Sequence, residues 1–528
     1  MIKKKIISFL LIGTLLFSTT VAYAQSTLFS KYTNGNYKHA TKFDNCLILD
    51  GIDVSQWNQD INWKKVKADG IDYVIIRIGG RGYGESGRLY FDDYAKDYIK
   101  GAKSAGLMIG GYFFSQAITE KEAIKEADYT IQILSQYNLD SSDFDLPIFM
   151  DREFASDSED PGRLVTAKLT KAKETKIEMA FCNRLSELGF NSGLYAGYYY
   201  LKDNTNSQEL IDAGHTVWEA QYNDECNFKG DYSLWQYTSD GKVDGINTRT
   251  DCNFWYLNKS LEAAENAGTS IEGFTATAND VVSNGSGPYT PNIVIKHIEE
   301  KSFPTEDSTE KEITNTNEPT KTVLDENTPE EPVLNETEII ETILEDGKDY
   351  KIIGYIDNNK IGLAYAIIKG IGQYTGYRAI PYNIILKGGL ESDTYTVGEY
   401  ITGINAETLA GDVLKEFSTD EGFTIKLLDT ENKEVSGKKL VGTGMHLAIY
   451  TENNKLVGKI PIVVSGDVNG DGYIRATDYM KIKNHIMGVG EKLKDEYYKS
   501  ADVNGDSYIK ATDYMKIKNH IMGIAPIK

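Results

Sequence analysis

The sequence predicts a multidomain protein: an α/β barrel, then all-β modules, then a small α-helical, calcium-binding tail. Three observations predict it. Short apolar runs alternate with amphipathic stretches over residues 48–262, and β-rich alternation follows to residue 465. The 22-residue segment DVNGDGYIRATDYMKIKNHIMG from Asp467 then recurs from Asp502 with 20 of 22 positions identical. At 528 residues the chain is too long for one ordinary domain.

The first 24 residues read as a secretory signal peptide. Lys3, Lys4 and Lys5 precede an apolar run from Ile6 to Val21, and Ala22-Tyr23-Ala24 offers small residues for cleavage. The mature protein is therefore expected to be secreted, extracellular or bound at the cell surface, with no membrane partner after cleavage. A formal net charge of -22 argues against nucleic acid, whose phosphates call for basic patches. Export permits disulfides among Cys46, Cys182, Cys226 and Cys252, with Cys226–Cys252 the favoured pair. Their spacing fits no structural zinc motif.

In the barrel region the strand candidates are ILDGIDVS (48–55), YVIIRIG (73–79), LMIGGYFFS (107–115), LPIFMDRE (146–153), SGLYAG (192–197), TVWEAQY (216–222) and SLWQYT (233–238). Helices are expected over Phe91–Ala105, Ile118–Tyr137 and Thr166–Leu188. The later spacers are too short for full helices. Residues 270–386 read as a β module interrupted by a disordered acidic insertion at about 300–340, rich in Glu, Thr, Asn and Pro. A linker between two unrelated pieces is the other reading of that insertion. A second β-rich module is expected over 388–465. Neither holds a catalytic constellation, and both read as spacers or wall-binding modules.

Chemistry is expected at the end of the fourth barrel strand, where Asp151 and Glu153 stand two residues apart and so project to the same side. That strand end is the rim where such barrels keep their active sites. Two close carboxylates repel, so one tends to keep its proton, and an acid beside an ionised carboxylate is the equipment for breaking a glycosidic bond. Asp53 on the first strand and Asp251 near the last are expected on the same rim. Tyr112, Tyr195, Trp218, Tyr222, Trp235 and Tyr237 end other strands and offer rings on which sugar faces stack.

GIDVSQWNQDINWKKVKADGIDYVIIRIG, GYFFSQA, PIFMDRE, GLYAGYYYL, VWEAQYN and LWQYTSDGKVDGINTRTDCN follow, in order, the pattern of the family 25 glycoside hydrolases. The resemblance covers about residues 48–258. It implies a TIM-like barrel of five β/α units followed by three strands, (β/α)5(β)3, and a lysozyme (N-acetylmuramidase) cutting peptidoglycan between N-acetylmuramic acid and N-acetylglucosamine. It makes Glu153 the general acid and Asp151 the group that positions the substrate acetamide. Asp53 and Asp251 become supporting carboxylates, and Tyr112, Tyr195 and Trp218 sugar-binding rings. No cofactor is implied for catalysis. Phe113 departs from the many relatives with His there, which bears on fine substrate preference. Direct attack by Asp151 is the other route to a retained product. A non-catalytic wall-binding adaptor and an endo-N-acetylglucosaminidase or chitinase-like barrel are the competing functions. The segment DYKIIGYIDNNKIGLAYAIIKGIGQYTG resembles small immunoglobulin-like repeats of clostridial surface proteins.

In the tail, Asp467, Asn469, Asp471, the Tyr473 carbonyl and Asp478 fall at positions 1, 3, 5, 7 and 12 of a calcium loop. Asp502, Asn504, Asp506, Tyr508 and Asp513 repeat the set, with Ser507 in place of the glycine at position 6. Two such loops running into near-identical helices resemble a type I dockerin over 466–528. That resemblance implies two structural Ca2+ ions and a cohesin partner on a scaffold or cell-surface protein. Cohesin contacts then fall at Ala476, Thr477, Lys483 and Asn484 and at their repeats Ala511, Thr512, Lys518 and Asn519. Identical faces imply two docking orientations.

Overall fold

The structure is a computed structural model that describes residues 37–156, 161–260, 269–283, 287–303 and 336–527. The expected signal peptide lies outside the described residues. Nine strands form the first sheet: β1 (Cys46–Val54), β2 (Tyr73–Arg81), β3 (Leu89–Phe91), β4 (Met108–Ser115), β5 (Ile148–Arg152), β6 (Ser192–Gly197), β7 (Thr216–Ala220), β8 (Leu234–Gly241) and β9 (Thr250–Asn258). Their order is β1-β9-β8-β7-β6-β5-β4-β2-β3, and parallel pairing of β1 with β2 closes eight of them into a barrel, leaving β3 as a ribbon on β2. β9 runs antiparallel between β1 and β8.

Helices follow the first five barrel strands: α1 (Trp63–Ala68), α2 (Ala95–Ser104), α3 (Glu120–Gln136), α4 (Arg163–Ala167) with α5 (Lys171–Glu187), and α6 (Tyr198–Asp203) with α7 (Ser207–Asp212). β7, β8 and β9 follow one another without helices. Local chemistry sets these boundaries. The Glu122 amide donates to Thr119 Oγ1 at the start of α3, and the Ile118 amide donates to Glu122 Oε2 at 2.8 Å, a reciprocal cap. The barrel interior is filled by alternating large and absent side chains. Gly51 faces inward, where an added Cβ would stand 2.1 Å from the ring of Tyr73.

Beyond the barrel, β10 (Thr275–Ala278), β12 (Ile293–Phe303) and β13 (Glu336–Ile343) form one sheet, and β11 (Val281–Val282), β14 (Tyr350–Ile356), β15 (Gly362–Gly370) and β16 (Tyr377–Ile385) form another. They share a core that includes Phe274, Ile295, Ile368 and Ile380. β12 and β13 pair from Lys296↔Ile343 to Phe303↔Glu336, which corrects the expected bounds of the acidic insertion: residues 300–303 and 336–340 are strand. The rest of that insertion lies outside the described residues. A further unit contains β17 (Thr396–Val397), β18 (Ile401–Thr402), α8 (Ala410–Leu414), β19 (Phe423–Leu428), β20 (His446–Thr451) and β21 (Leu456–Pro461). The tail is α9 (Ala476–Ile486), α10 (Asp495–Ala501) and α11 (Ala511–Ile521), packed around Val468, Ile482, Ile509 and Ile517.

The floor of the barrel is not open to solvent. Leu49, Tyr73, Met108, Phe149, Trp218 and Trp255 share one apolar cluster with Tyr365, Ile367, Tyr377 and Ala379 of β15 and β16. Tyr377 packs edge-on against Trp255 at 5.2 Å, and Asn191 Nδ2 donates to its hydroxyl at 2.8 Å. Lys369 donates to the Phe144 carbonyl at 2.9 Å, and burial pushes its ammonium down to about 8. The expected Cys226–Cys252 bridge is absent, and all four cysteines are free. The two thiols have separate partners: Cys226 Sγ donates to Glu219 Oε2 at 3.1 Å, and Cys252 Sγ lies 3.6 Å from the Thr250 carbonyl. No described helix is long and apolar enough to cross a membrane.

Candidate active site

Register fixes which side chains enter the barrel mouth. Asp53 pairs with Asp251 and with Ile75, so Arg77, two residues after Ile75, faces inward as well. Arg77 pairs with Tyr112, Tyr112 with Phe149, Asp151 with Tyr195, Tyr195 with Trp218, and Gln236 with Asn253. The resulting cleft is lined by Asp53, Tyr112, Asp151, Glu153, Tyr195, Trp218, Tyr222, Gln236 and Asp251. All seven residues that sequence assigned to catalysis and sugar binding therefore meet at one mouth. Asp151 is buried and Glu153 stands exposed above it at the lip. A larger depression near Asp60, Trp63 and Gly101 lies away from these carboxylates.

Two aromatic assignments are corrected. Trp235 and Tyr237 flank Gln236 on β8, so they point outward and pack against Tyr37 and Phe254. Phe113 also faces outward, between Tyr129 and Phe181, and does not line the cleft. Trp218 is only 1% exposed, so it serves as the bottom of the cleft more than as an open platform. Its indole Nε1 donates to Asn253 Oδ1 at 2.9 Å.

Sequence reasoning missed the polar frame around Asp53. Gln236 Nε2 and Asn253 Nδ2 donate to Asp53 Oδ2 at 2.7 and 2.9 Å. Gln236 Oε1 accepts from the hydroxyls of Tyr195 and Tyr222 at 2.7 and 2.8 Å. One amide thus ties a carboxylate to two cleft rings. The available signal was alternation: if Trp235 packs outward, Gln236 must face in. Glu153 is held from behind. Gln116 Nε2 donates to its carbonyl at 2.8 Å, and the intervening Arg152, fully buried on the opposite face, is salt-bridged to Glu174 of α5.

Crowding four carboxyls in one cleft raises them all. Burial lifts Asp53 well above the carboxylate range, the Asp251 charge adds to this, and the Asn253 and Gln236 hydrogen bonds oppose it. Burial, then the Glu153 charge and a side-chain hydrogen bond with Glu153, lift Asp151. The cleft walls around the base of Glu153 desolvate its carboxyl and raise it even though the side chain reaches the exposed lip, and that bond opposes the rise. Asp251 is pushed up to about 6 by burial and by Glu153. Asp151 and Glu153 therefore share a proton, as an acid beside a carboxylate must.

In the tail, the loop donors are all oxygens at calcium spacing, which suits a hard cation. In the structure their carboxylates turn inward onto backbone amides, and among the described residues no group of three acidic, histidine or cysteine side chains is arranged to hold a metal ion. Asp467 accepts from the amides of Gly470, Asp471, Gly472 and Thr443. Asn469 Nδ2 donates to Asp471 and Thr477, and Asn504 Nδ2 to Asp506 and Thr512. Asp478 and Asp513 accept from amides at the starts of α9 and α11. Arg475 and Lys510 lie over the rings of Tyr473 and Tyr508. Ser507 takes φ +67°, against +80° for Gly472 in the first loop. Ala476, Thr477 and Lys483 are exposed and Asn484 half-buried, and Ala511, Thr512, Lys518 and Asn519 repeat that pattern.

Residues 52–246 match the model of glycosyl hydrolases family 25, and residues 465–522 match the dockerin type I domain. The chain is 27% identical over 204 residues to the autolytic lysozyme of Clostridium acetobutylicum, covering 38% of this chain and 54% of that protein. It is 23% identical over 209 residues to lysozyme M1 of Streptomyces globisporus, covering 39% and 67%. Among solved structures it is similar to the modular autolysin LytC of Streptococcus pneumoniae in complex with a synthetic peptidoglycan ligand, at 27% identity and a TM-score of 0.34, covering 40% of this chain and 47% of that one. The chain thus spans about half the length of the first of these relatives. It carries a domain that matches glycosyl hydrolases family 25 and a second that matches the dockerin type I domain.

Proposed function

We propose that this protein is an exported peptidoglycan hydrolase that cleaves the β-1,4 bond between N-acetylmuramic acid and N-acetylglucosamine and is tethered through its dockerin to a cohesin. The observation that supports it best is the pairing of Asp151 with Glu153 in a cleft framed by Asp53, Asp251 and the rings of Tyr112, Tyr195 and Tyr222. Glu153, at the lip, protonates the leaving oxygen and later serves as base toward water. Asp151, beneath it, orients the 2-acetamido group, whose carbonyl attacks the anomeric carbon, and the product retains its configuration. Residues two apart on one strand put both carboxyls on the same side of the sugar, which favours this route over direct attack by Asp151. The relatives named as lysozymes support the substrate class.

The division of the chain is part of the same reading: signal peptide 1–24, barrel 48–262, immunoglobulin-like module 270–386, β-rich module 388–465 and dockerin 466–528. In the dockerin, Asp467, Asn469, Asp471, the Tyr473 carbonyl and Asp478 would hold one Ca2+, and their repeats a second. The ions order the loops so that either helix face presents its cohesin contacts. Turbidity clearing of purified cell walls tests the central activity. Wild type clears and Glu153→Gln does not. Equal clearing by both rejects the acid, and no clearing by wild type favours a wall-binding adaptor.

A further inference from the structure

Arg77 is a basic side chain that the register of β2 turns inward, toward the mouth. It stands on β2, one strand from β4, which in turn pairs with β5 and its Asp151. It is 8% exposed. Its Nε donates to Asp92 Oδ2 at 2.8 Å, and Asp92 also accepts from the amides of Gln56 and Tyr94, so the guanidinium sits in a fixed frame. Its Nη2 is buried with no hydrogen-bond partner, and so is Asp151 Oδ1 in the same mouth. Buried orphans of opposite sign, on strands that flank a common neighbour, call for an explanation.

We propose that Arg77 is a positioning residue of this cleft: a buried cation that holds Asp151 ionised and so leaves the shared proton on Glu153. This rests on the hydrolase reading above and refines it. Catalysis needs Glu153 as the acid, yet the hydrogen bond between the two raises Asp151 and lowers Glu153. Every acidic neighbour works against ionising Asp151: Glu153 from its own strand and Asp53 from β1. The phenols that face it, Tyr90 of β3, Tyr112 of β4 and Tyr195 of β6, are themselves raised by burial and stay neutral. Arg77 lowers Asp151, whose neighbour Glu153 is raised by desolvation, and so separates two otherwise similar acids.

The test is the pH profile of kcat/KM for release of soluble fragments from purified peptidoglycan. Asp151 must be ionised, so its titration forms the acid limb, and removing a nearby cation raises that limb. Arg77→Met should move the acid limb up by about one unit and lower kcat about tenfold with KM within about twofold. Arg77→Lys, which keeps the charge, should restore the limb. A folded Arg77→Met with the limb unmoved overturns the proposal. Should Arg77→Met fail to fold because Asp92 is stranded, the double variant Arg77→Met/Asp92→Asn removes the pair with its charge balanced and carries the same readout. A wild type that releases nothing overturns the hydrolase reading and this proposal with it, an outcome distinct from an unmoved limb.

Discussion

At the mouth of the barrel, Asp53, Asp151, Glu153 and Asp251 share one cleft, and Asp151 Oδ1 and Arg77 Nη2 are buried without partners. At the floor, the same strands present Leu49, Phe149 and Trp255 to Tyr365, Ile367 and Tyr377; Lys369 and Asn191 find acceptors there, and the Tyr73 hydroxyl is the buried group left without one in that cluster. The mouth keeps desolvated like charges that cost stability, whereas the floor buries apolar surface that supplies it. The contrast separates the residues retained for chemistry from those retained for the fold.

The sharpest way to break this contrast is Glu153→Gln, which should lower the rate of wall hydrolysis about 10³-fold while leaving Tm nearly unchanged. Asp151→Asn should cost about 10²-fold in kcat, with fragment affinity by calorimetry little changed. At the floor the signs reverse. Tyr377→Ala should cost about 3 kcal/mol in urea unfolding and leave the pH optimum of the folded enzyme where it was.

Asp251→Asn sharpens the comparison through pH. Burial and the Glu153 charge push its carboxyl up to about 6 from the ordinary 3.8. The folded state binds that proton more tightly, so the group's contribution to stability is full below about pH 4 and is lost as pH rises through about 6. The Tm gain of Asp251→Asn over wild type should therefore be larger at about pH 7.5 than at about pH 4.

The smallest effect belongs to the tail, where satisfied and unsatisfied copies of one motif sit side by side. Asp467 is saturated by amides, one of them from Thr443 in the preceding β unit, whereas Asp502 Oδ1 is buried without a partner. Ser507→Gly relieves a left-handed serine and should tighten calcium at the second loop about fivefold, or about 1 kcal/mol, by titration calorimetry.

Much of this was legible in sequence because it is local. Asp151 and Glu153 stand on one strand, the barrel strands announce themselves as apolar runs, and the calcium spacing repeats within one tail. What sequence obscured depends on which way a strand faces in a closed barrel. Trp235 reads as a cleft ring until the register of β8 turns it outward and Gln236 inward. Arg77, within the apolar run YVIIRIG, is placed as an inward cation only by the pairing of β2 with β1 and β4. The floor was hidden because Tyr365, Ile367 and Tyr377 have the alternation of any β-module core, and nothing local says that their partner is a barrel over a hundred residues upstream.

Mass spectrometry of the ends released from purified peptidoglycan tests the central claim most directly. Glu153 and Asp151 acting together in this cleft should give products with reducing-end N-acetylmuramic acid from wild type and none above background from Glu153→Gln. Reducing-end N-acetylglucosamine, or equal release by the variant, would contradict it.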